Sequence, residues 1–234
     1  MKRILALLIL LVMIGFMIMP ILITNDESKQ IKEQEDNTYI VEITESSKML
    51  IATSEPVIEK ISEQNQIENI TQEMQTKMAE IETIENKQEY FLAYKNIVSE
   101  YSEWFDAPET IYNYYTSEEL DLLFRVVQAE IGNYSFEQKC NVVSVIFNRL
   151  NNEKFPNTMS EILIPSQFST ISNGSIHKVS VDETTILACE YVFMFGDTTG
   201  GALFFHSNEM SSSFYGASYL FSDGSGHHFF GYKE

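Results

Sequence analysis

No glycine occurs between Gly15 and Gly132, while nine of the chain's ten glycines fall from Gly132 onward. Glycine is the default residue where a chain must turn tightly with positive φ, so its distribution divides these 234 residues into an extended leading part and a compact domain. Residues 24–54 are rich in Glu, Gln, Ser and Thr and poor in aromatics, the composition of a flexible tether. From Pro56 the pattern becomes helical. Ile67, Ile70, Met74, Met78, Ile81 and Ile84 recur at threes and fours between polar residues. Such a narrow apolar seam on a solvated helix suits a stalk or a weak coiled coil that could self-associate; a marginal single helix or disorder is the alternative. The seam runs on into Tyr90, Phe91, Tyr94, Ile97, Tyr101, Trp104 and Phe105, aromatic enough to lie against the domain downstream.

Ahead of the tether, Met1-Lys2-Arg3 precedes an uncharged run from Ile4 to Ile23. About twenty residues at ~1.5 Å per residue cross a bilayer core. The basic flank before the run and the acidic flank after it (Asn25-Asp26-Glu27) orient it with the amino terminus in the cytoplasm. Residues 1–23 are therefore expected to be a single-pass membrane anchor with everything after them extracytoplasmic. The competing reading is a cleavable signal peptide and a secreted product, although the run is long for one and no A-x-A-like site closes it. The formal net charge of −19 argues against nucleic-acid binding, because a phosphate backbone demands a basic surface. It leaves a neutral glycan open as a partner. Cys140 and Cys189 fall in expected helices without metal-ligand spacing and read as buried free thiols; an oxidised pair is the alternative outside the cell.

Residues 106–234 read as globular. Four expected helix starts place a Ser or Thr three residues before Glu or Gln: Thr116 with Glu119, Ser135 with Gln138, Thr158 with Glu161, and Ser180 with Glu183. The segment Phe136–Leu150 is apolar nearly all round and should be the central buried helix. Val181–Phe195 should end at Gly196. The runs 202–206 and 226–232, aromatic and bounded by glycine, read as strands. The fold class is α+β, mainly helical with one small sheet.

Within this domain Glu130 stands out. Leu120, Leu123, Phe124 and Val127 precede it at helical spacing, so the same period aims Glu130 toward the core side. Burial and the negative end of the helix dipole would both raise its pKa, as a general acid requires. A Glu that swings to solvent at a frayed helix end is the plain alternative. Other chemistries find less support. There is no G-x-S-x-G elbow, and neither cysteine sits in a loop beside a histidine. The four histidines, His177, His206, His227 and His228, form no H-E-x-x-H motif, although His206 and His228 with one acid could assemble a zinc site. No cofactor is expected. The polar connection Pro165–Gly174 carries amide, hydroxyl and aromatic groups of the kind that grip sugars.

From Phe124 to His206 the chain resembles the SleB/CwlJ-type cell wall hydrolases, the spore-cortex-lytic enzymes and their relatives. The matching stretches are AEIGNYSFEQKCNVVSVIFNRL, FPNT at 155–158, QFS with a following NG, TGGALFF, and a terminal GHHFF similar to the family's G-x-H-x-F ending. The resemblance implies a lysozyme-like, lytic-transglycosylase-like catalytic domain that cleaves peptidoglycan between N-acetylmuramic acid and N-acetylglucosamine. It makes Glu130 the single acid/base and lets Gln167, Phe168, Ser169, His206 and His228 line the substrate cleft, with no metal. A lytic transglycosylase needs one such group, because the attacking 6-hydroxyl belongs to the substrate. Glu190 and Asp223 are the candidates for any second carboxylate. The family's Asn-Arg pair, here Asn148 and Arg149, is expected to close the buried helix onto its loop. Many members carry an Arg and a further acid just after the catalytic Glu, where this chain has Ile131-Gly132-Asn133. A non-catalytic peptidoglycan-binding or envelope-assembly protein retaining the fold, and a metal-dependent envelope peptidase using His206 and His228, are the alternatives.

Overall fold

The computed structural model describes residues 45–207 and 216–232, with side chains from residue 63 onward. The expected anchor at 1–23 lies outside the described residues; among them, no helix is long and apolar enough to cross a membrane. The chain divides into two compact units, residues 1–53 and 54–234.

Helix α1, Glu45–Ile81, starts earlier than expected and takes in the end of the expected tether. It is followed by α2, Lys87–Glu100, whose first turn is capped by Asn86, with Oδ1 accepting from the Glu89 N–H at 3.0 Å. The seam of α1 is covered within the chain from Ile70 onward. Ile70, Met74, Met78 and Ile81 pack against Ile84, Tyr90, Ala93, Ile97 and Tyr101. Lys77 seals this antiparallel contact, 2.5 Å from Glu100 and 5.2 Å above the Tyr101 ring. The partner of this stretch of the seam is α2, while Ile67 at its start stays exposed. The opposite face of α2 enters the main core. Phe91 is 1% exposed and meets Tyr191 and Phe195 edge-on at 5.6 and 5.9 Å. The compact unit thus begins well upstream of Asp106.

Helices α3, Ser117–Ile131, and α4, Phe136–Leu150, both start on reciprocal capping boxes, Thr116 with Glu119 and Ser135 with Gln138. Every residue from Lys139 to Phe147 is buried, so α4 is the central helix that the sequence implied. Two single-turn helices come next, α5 at Met159–Ile162 and α6 at Ser169–Ser172, and then α7 at Glu183–Phe195. The box expected at Ser180 does not form. Asp182 caps α7 instead, accepting from the Thr185 N–H at 2.7 Å.

Three strands complete the unit: β1, Phe204–Ser207; β2, Ser218–Ser222; and β3, His227–Gly231. They form an antiparallel sheet in the order β1-β3-β2. The short polar-flanked β2 is an addition to the two strands expected. Strand alternation sorts the aromatics onto two faces. Phe205, Phe221 and Phe229 pack with Ala202 onto Val145 of α4. Phe204 and Phe230 pack on the other side with Leu203, Phe155 and Tyr232.

Asn148 and Arg149 join α4 to this sheet. Asn148 Nδ2 donates to the Ala202 carbonyl at 3.0 Å, and Arg149 Nε to that of Leu203 at 2.7 Å. The guanidinium lies 5.4–5.5 Å from the rings of Phe155, Phe168 and Phe204, and burial lowers its pKa to about 10. Cys140 and Cys189 are buried free thiols, the former pushed up to about 12 by burial.

Candidate functional site

Glu130 closes the last turn of α3. Its neighbours Val127 and Ile131 are buried, while Glu130 itself is half-buried. Oε1 accepts a hydrogen bond at 2.7 Å from Oγ1 of Thr170, which is 8% exposed in α6. The carboxylate is therefore held at the junction of α3 and α6 and does not swing out from a frayed end.

Gly132, two residues beyond Glu130, does not break the helix through an unusual backbone. At φ −57° and ψ −30° it is right-handed, and its N–H still donates to the Gln128 carbonyl. Its lack of a side chain matters because a Cβ there would lie 2.3 Å from Gln128 Nε2. Gln128 occupies that space because its amide is committed elsewhere. Nε2 donates to Asp182, and Oε1 accepts from the Asp182 N–H and from Thr185 Oγ1 at 2.6 Å. Lys139, 1% exposed, completes the cluster with its Nζ 2.7 and 2.8 Å from the two Asp182 oxygens. Burial alone would raise the Asp182 pKa, but the bonds from Lys139, Thr185 and Gln128 outweigh it and hold it below the usual carboxylate range. This knot fixes the end of α3 to α4 and α7, and so fixes where Glu130 emerges.

The residues expected to line the cleft separate into three groups. Gln167 and Ser169 are exposed beside Thr170, on the chain entering α6. Phe168 is 2% exposed, packed on Arg149 and 6.5 Å from the Phe205 ring, so it offers no face to a sugar. His206 and His228 face each other across β1 and β3, on the side of the sheet that carries Phe204 and Phe230. His206 stacks on Phe230 at 4.6 Å and is buried; His228 meets the edge of Tyr219. Among the described residues, no group of three or more His, Cys, Asp or Glu is placed to hold a metal ion.

His227 lies on the other face of β3, with Phe205 and Phe229, within range of the Glu130 charge. Its ring meets Phe205 edge-on at 5.5 Å, and Phe205 touches Phe168, two residues before the Thr170 that binds Glu130. Its Nδ1 lies 2.9 Å from Ser225 Oγ, which lies 2.5 Å from Asp223 Oδ1. Asn141 of α4 donates to the other Asp223 oxygen at 3.0 Å. Burial lowers the His227 pKa, the Asp223 and Glu130 charges pull it up, and His206 adds to the lowering. Sequence reasoning missed His227 because Gly226-His227-His228-Phe229-Phe230 is apolar or aromatic on both faces, leaving alternation without a polar side to choose. Thr170 was missed because its only signal was membership of a polar connection.

Of the two candidate second carboxylates, Asp223 belongs to this cluster. Glu190 does not: it binds Lys95 at 2.6 Å and the Tyr112 hydroxyl at 2.9 Å, beside a cavity of about 270 Å³ between α2 and α7.

Residues 133–231 match the family described as Cell Wall Hydrolase, a match that begins three residues after Glu130. The spore cortex-lytic enzyme of Bacillus cereus is 28% identical over 102 residues, covering 43% of this chain and 39% of the relative. That of Halalkalibacterium halodurans is 27% identical over 100 residues, covering 42% and 30%. This chain thus spans well under half the length of these curated relatives. Among solved structures, the catalytic domain of the germination-specific lytic transglycosylase SleB from Bacillus anthracis is similar at 24% identity and a TM-score of 0.46, covering 51% of this chain and 99% of that one. The catalytic domain of the Bacillus cereus SleB protein gives 26% and 0.45, covering 50% and 93%.

Proposed function

We propose, starting from a chain whose residues 133–231 form a SleB/CwlJ-type cell wall hydrolase domain, that this protein cleaves the glycan strands of peptidoglycan with Glu130 as the general acid. The observation that carries this reading is the placement of Glu130. A half-buried carboxylate is held by Thr170 at the junction of α3 and α6, beside the exposed polar residues Gln167 and Ser169. An anchored acid can protonate the oxygen of the bond between N-acetylmuramic acid and N-acetylglucosamine as the C1–O bond breaks. The substrate class comes from the matched family and from the cortex-lytic relatives. Attack by the 6-hydroxyl of the same muramoyl residue then gives a 1,6-anhydro product, and no second carboxylate is needed as nucleophile.

The sequence of residues 1–23, uncharged after a basic start, supports a membrane tether that would hold the enzyme on the outer side of the cytoplasmic membrane. The test is digestion of purified sacculi by the full chain, with products read by mass spectrometry. Anhydromuropeptides are expected. Free reducing ends would replace the transglycosylase by a hydrolase, and released peptides would overturn glycan cleavage altogether. Binding without any product would leave a non-catalytic envelope protein.

A further inference from the structure

The hydrogen-bond chain behind His227 fixes more than the position of its ring. Asp223 Oδ1 can only accept when ionised, so the single proton of Ser225 Oγ is drawn to it at 2.5 Å. Ser225 Oγ then has only lone pairs to offer His227 Nδ1 at 2.9 Å, and Nδ1 must be the donor. Neutral His227 therefore carries its proton on Nδ1 and keeps its lone pair on Nε2. Nε2 forms no hydrogen bond among the described residues, and the ring is half-buried, so this lone pair is left to accept a proton. The relay is itself anchored: Asn141 Nδ2 binds the second oxygen of Asp223, and Gln138 Nε2 binds its carbonyl at 3.1 Å, both from the rigid central helix α4.

We propose that His227 is a second proton-transfer group of this site, whose Nε2 accepts the proton of the hydroxyl that attacks the anomeric carbon while Glu130 protonates the leaving oxygen. This rests on the glycan-cleaving role of Glu130. In the step, the C1–O bond of the leaving sugar breaks with its electron pair going to oxygen, which takes the Glu130 proton. The attacking oxygen forms the new C1–O bond and passes its proton to Nε2. Glu130 ends as a carboxylate and His227 as an imidazolium, and one proton moved from His227 to Glu130 restores both. The charged and titratable groups acting on His227 come from three directions: Glu130 from α3, Asp223 from the β2–β3 turn, and His206 from β1. The groups facing the relay from α4, Gln138 and Asn141, are neutral. Burial keeps the imidazole neutral near pH 7, the form a base requires.

The test is the pH dependence of kcat/KM on purified sacculi for the full chain and for Glu130→Gln, His227→Gln and Ser225→Ala. His227→Gln is expected to lose about 10²-fold in rate and the acid limb that reports deprotonation of His227. Ser225→Ala, which keeps the base but frees its ring, is expected to lose about tenfold and keep that limb. A folded His227→Gln with the parent rate and profile overturns the proposal, while an inactive Glu130→Gln beside it leaves the glycan-cleaving reading intact. If Glu130→Gln is fully active, that reading falls instead. Should His227→Gln fail to fold, ¹⁵N NMR of the parent protein decides. A neutral His227 with its proton on Nδ1 is expected, and one with its proton on Nε2 overturns the base role.

Discussion

Two polar clusters meet the end of α3, and they are built on opposite principles. In the knot of Gln128, Lys139, Asp182 and Thr185, both Asp182 oxygens and both ends of the Gln128 amide are engaged inside the protein, and Lys139 is almost fully buried. In the cluster of Glu130, Thr170, Asp223, Ser225 and His227, the inner atoms are tied while Glu130 has a single bond, to Thr170, and His227 leaves Nε2 open, among the described residues. A saturated network can only hold position, since any further partner must first displace one it has. An open one has capacity left for a substrate. The same turn of helix thus supplies a clamp through Gln128 and, two residues on, the carboxylate proposed as the general acid.

The sharpest way to break this distinction is to mutate one member of each cluster and measure both activity and stability. Glu130→Gln keeps shape and loses the proton. It should lower the rate on sacculi by about 10²- to 10⁴-fold, with an unfolding midpoint in urea close to that of the parent. Asp182→Ala should do the reverse. It strands a buried ammonium and removes the cap of α7, costs that together amount to about 3 kcal/mol once the partial exposure of Asp182 is allowed for. Its effect appears in the urea midpoint, while the rate per folded molecule stays near that of the parent. If Asp182→Ala abolished catalysis in fully folded protein, the clamp and the reactive cluster would not be separable.

Gly132→Ala probes the point where the two clusters touch. The added methyl group meets Gln128 Nε2, held by its hydrogen bond to Asp182, and the Gln128 carbonyl oxygen, so overpacking should cost about 2 kcal/mol in urea unfolding. Replacing Gly174, which has a φ of 75° and open space around it, would test backbone strain alone. Thr170→Val is subtler. It keeps the volume of a buried side chain and deletes the hydroxyl that orients Glu130, so kcat/KM should fall about tenfold, close to 1.4 kcal/mol, with little loss of stability.

The line between local and distant contacts also separates the legible from the hidden. The central helix α4 and the start of α3 were legible because apolar periodicity and two capping boxes agree within a few residues of sequence. The half-buried placement of Glu130 was legible because its helical phase follows that of Leu123 and Val127. Hidden features depend on contacts distant in sequence. Ser180 lost the cap of α7 to Asp182 because Lys139 and Gln128, about fifty residues away, bind Asp182. His227 and His228 are adjacent in a strand with aromatic residues on both faces, and only the pairing with β1 decides which of them shares the face of Phe205. Phe168 resembled a sugar platform until Arg149 and Phe205 covered it.

Acid titration of stability gives the finest test, because the two clusters should release it at different pH. The His227 pKa is lowered in the folded protein, so the unfolded chain binds that proton first. The stability tied to neutral His227 is therefore complete above the unfolded histidine value of about 6.5 and is lost as pH falls from there through the folded value. Asp182 and Asp197 also have lowered folded values, Asp197 because the bonds from Thr199, Gly201 and Asn148 outweigh the opposing effect of burial. Their contribution is complete above the unfolded aspartate value of about 3.9 and is lost only below it. Urea midpoints measured from pH 8 to pH 3 should thus show a small first decline setting in below about pH 6.5 and a second below about pH 4. His227→Gln should remove the first and leave the second, and Asp182→Asn should weaken only the second. A single decline shared by both variants would mean that the open cluster and the closed one titrate together, and that the separation between reactive group and clamp is one of geometry without a matching separation in energy.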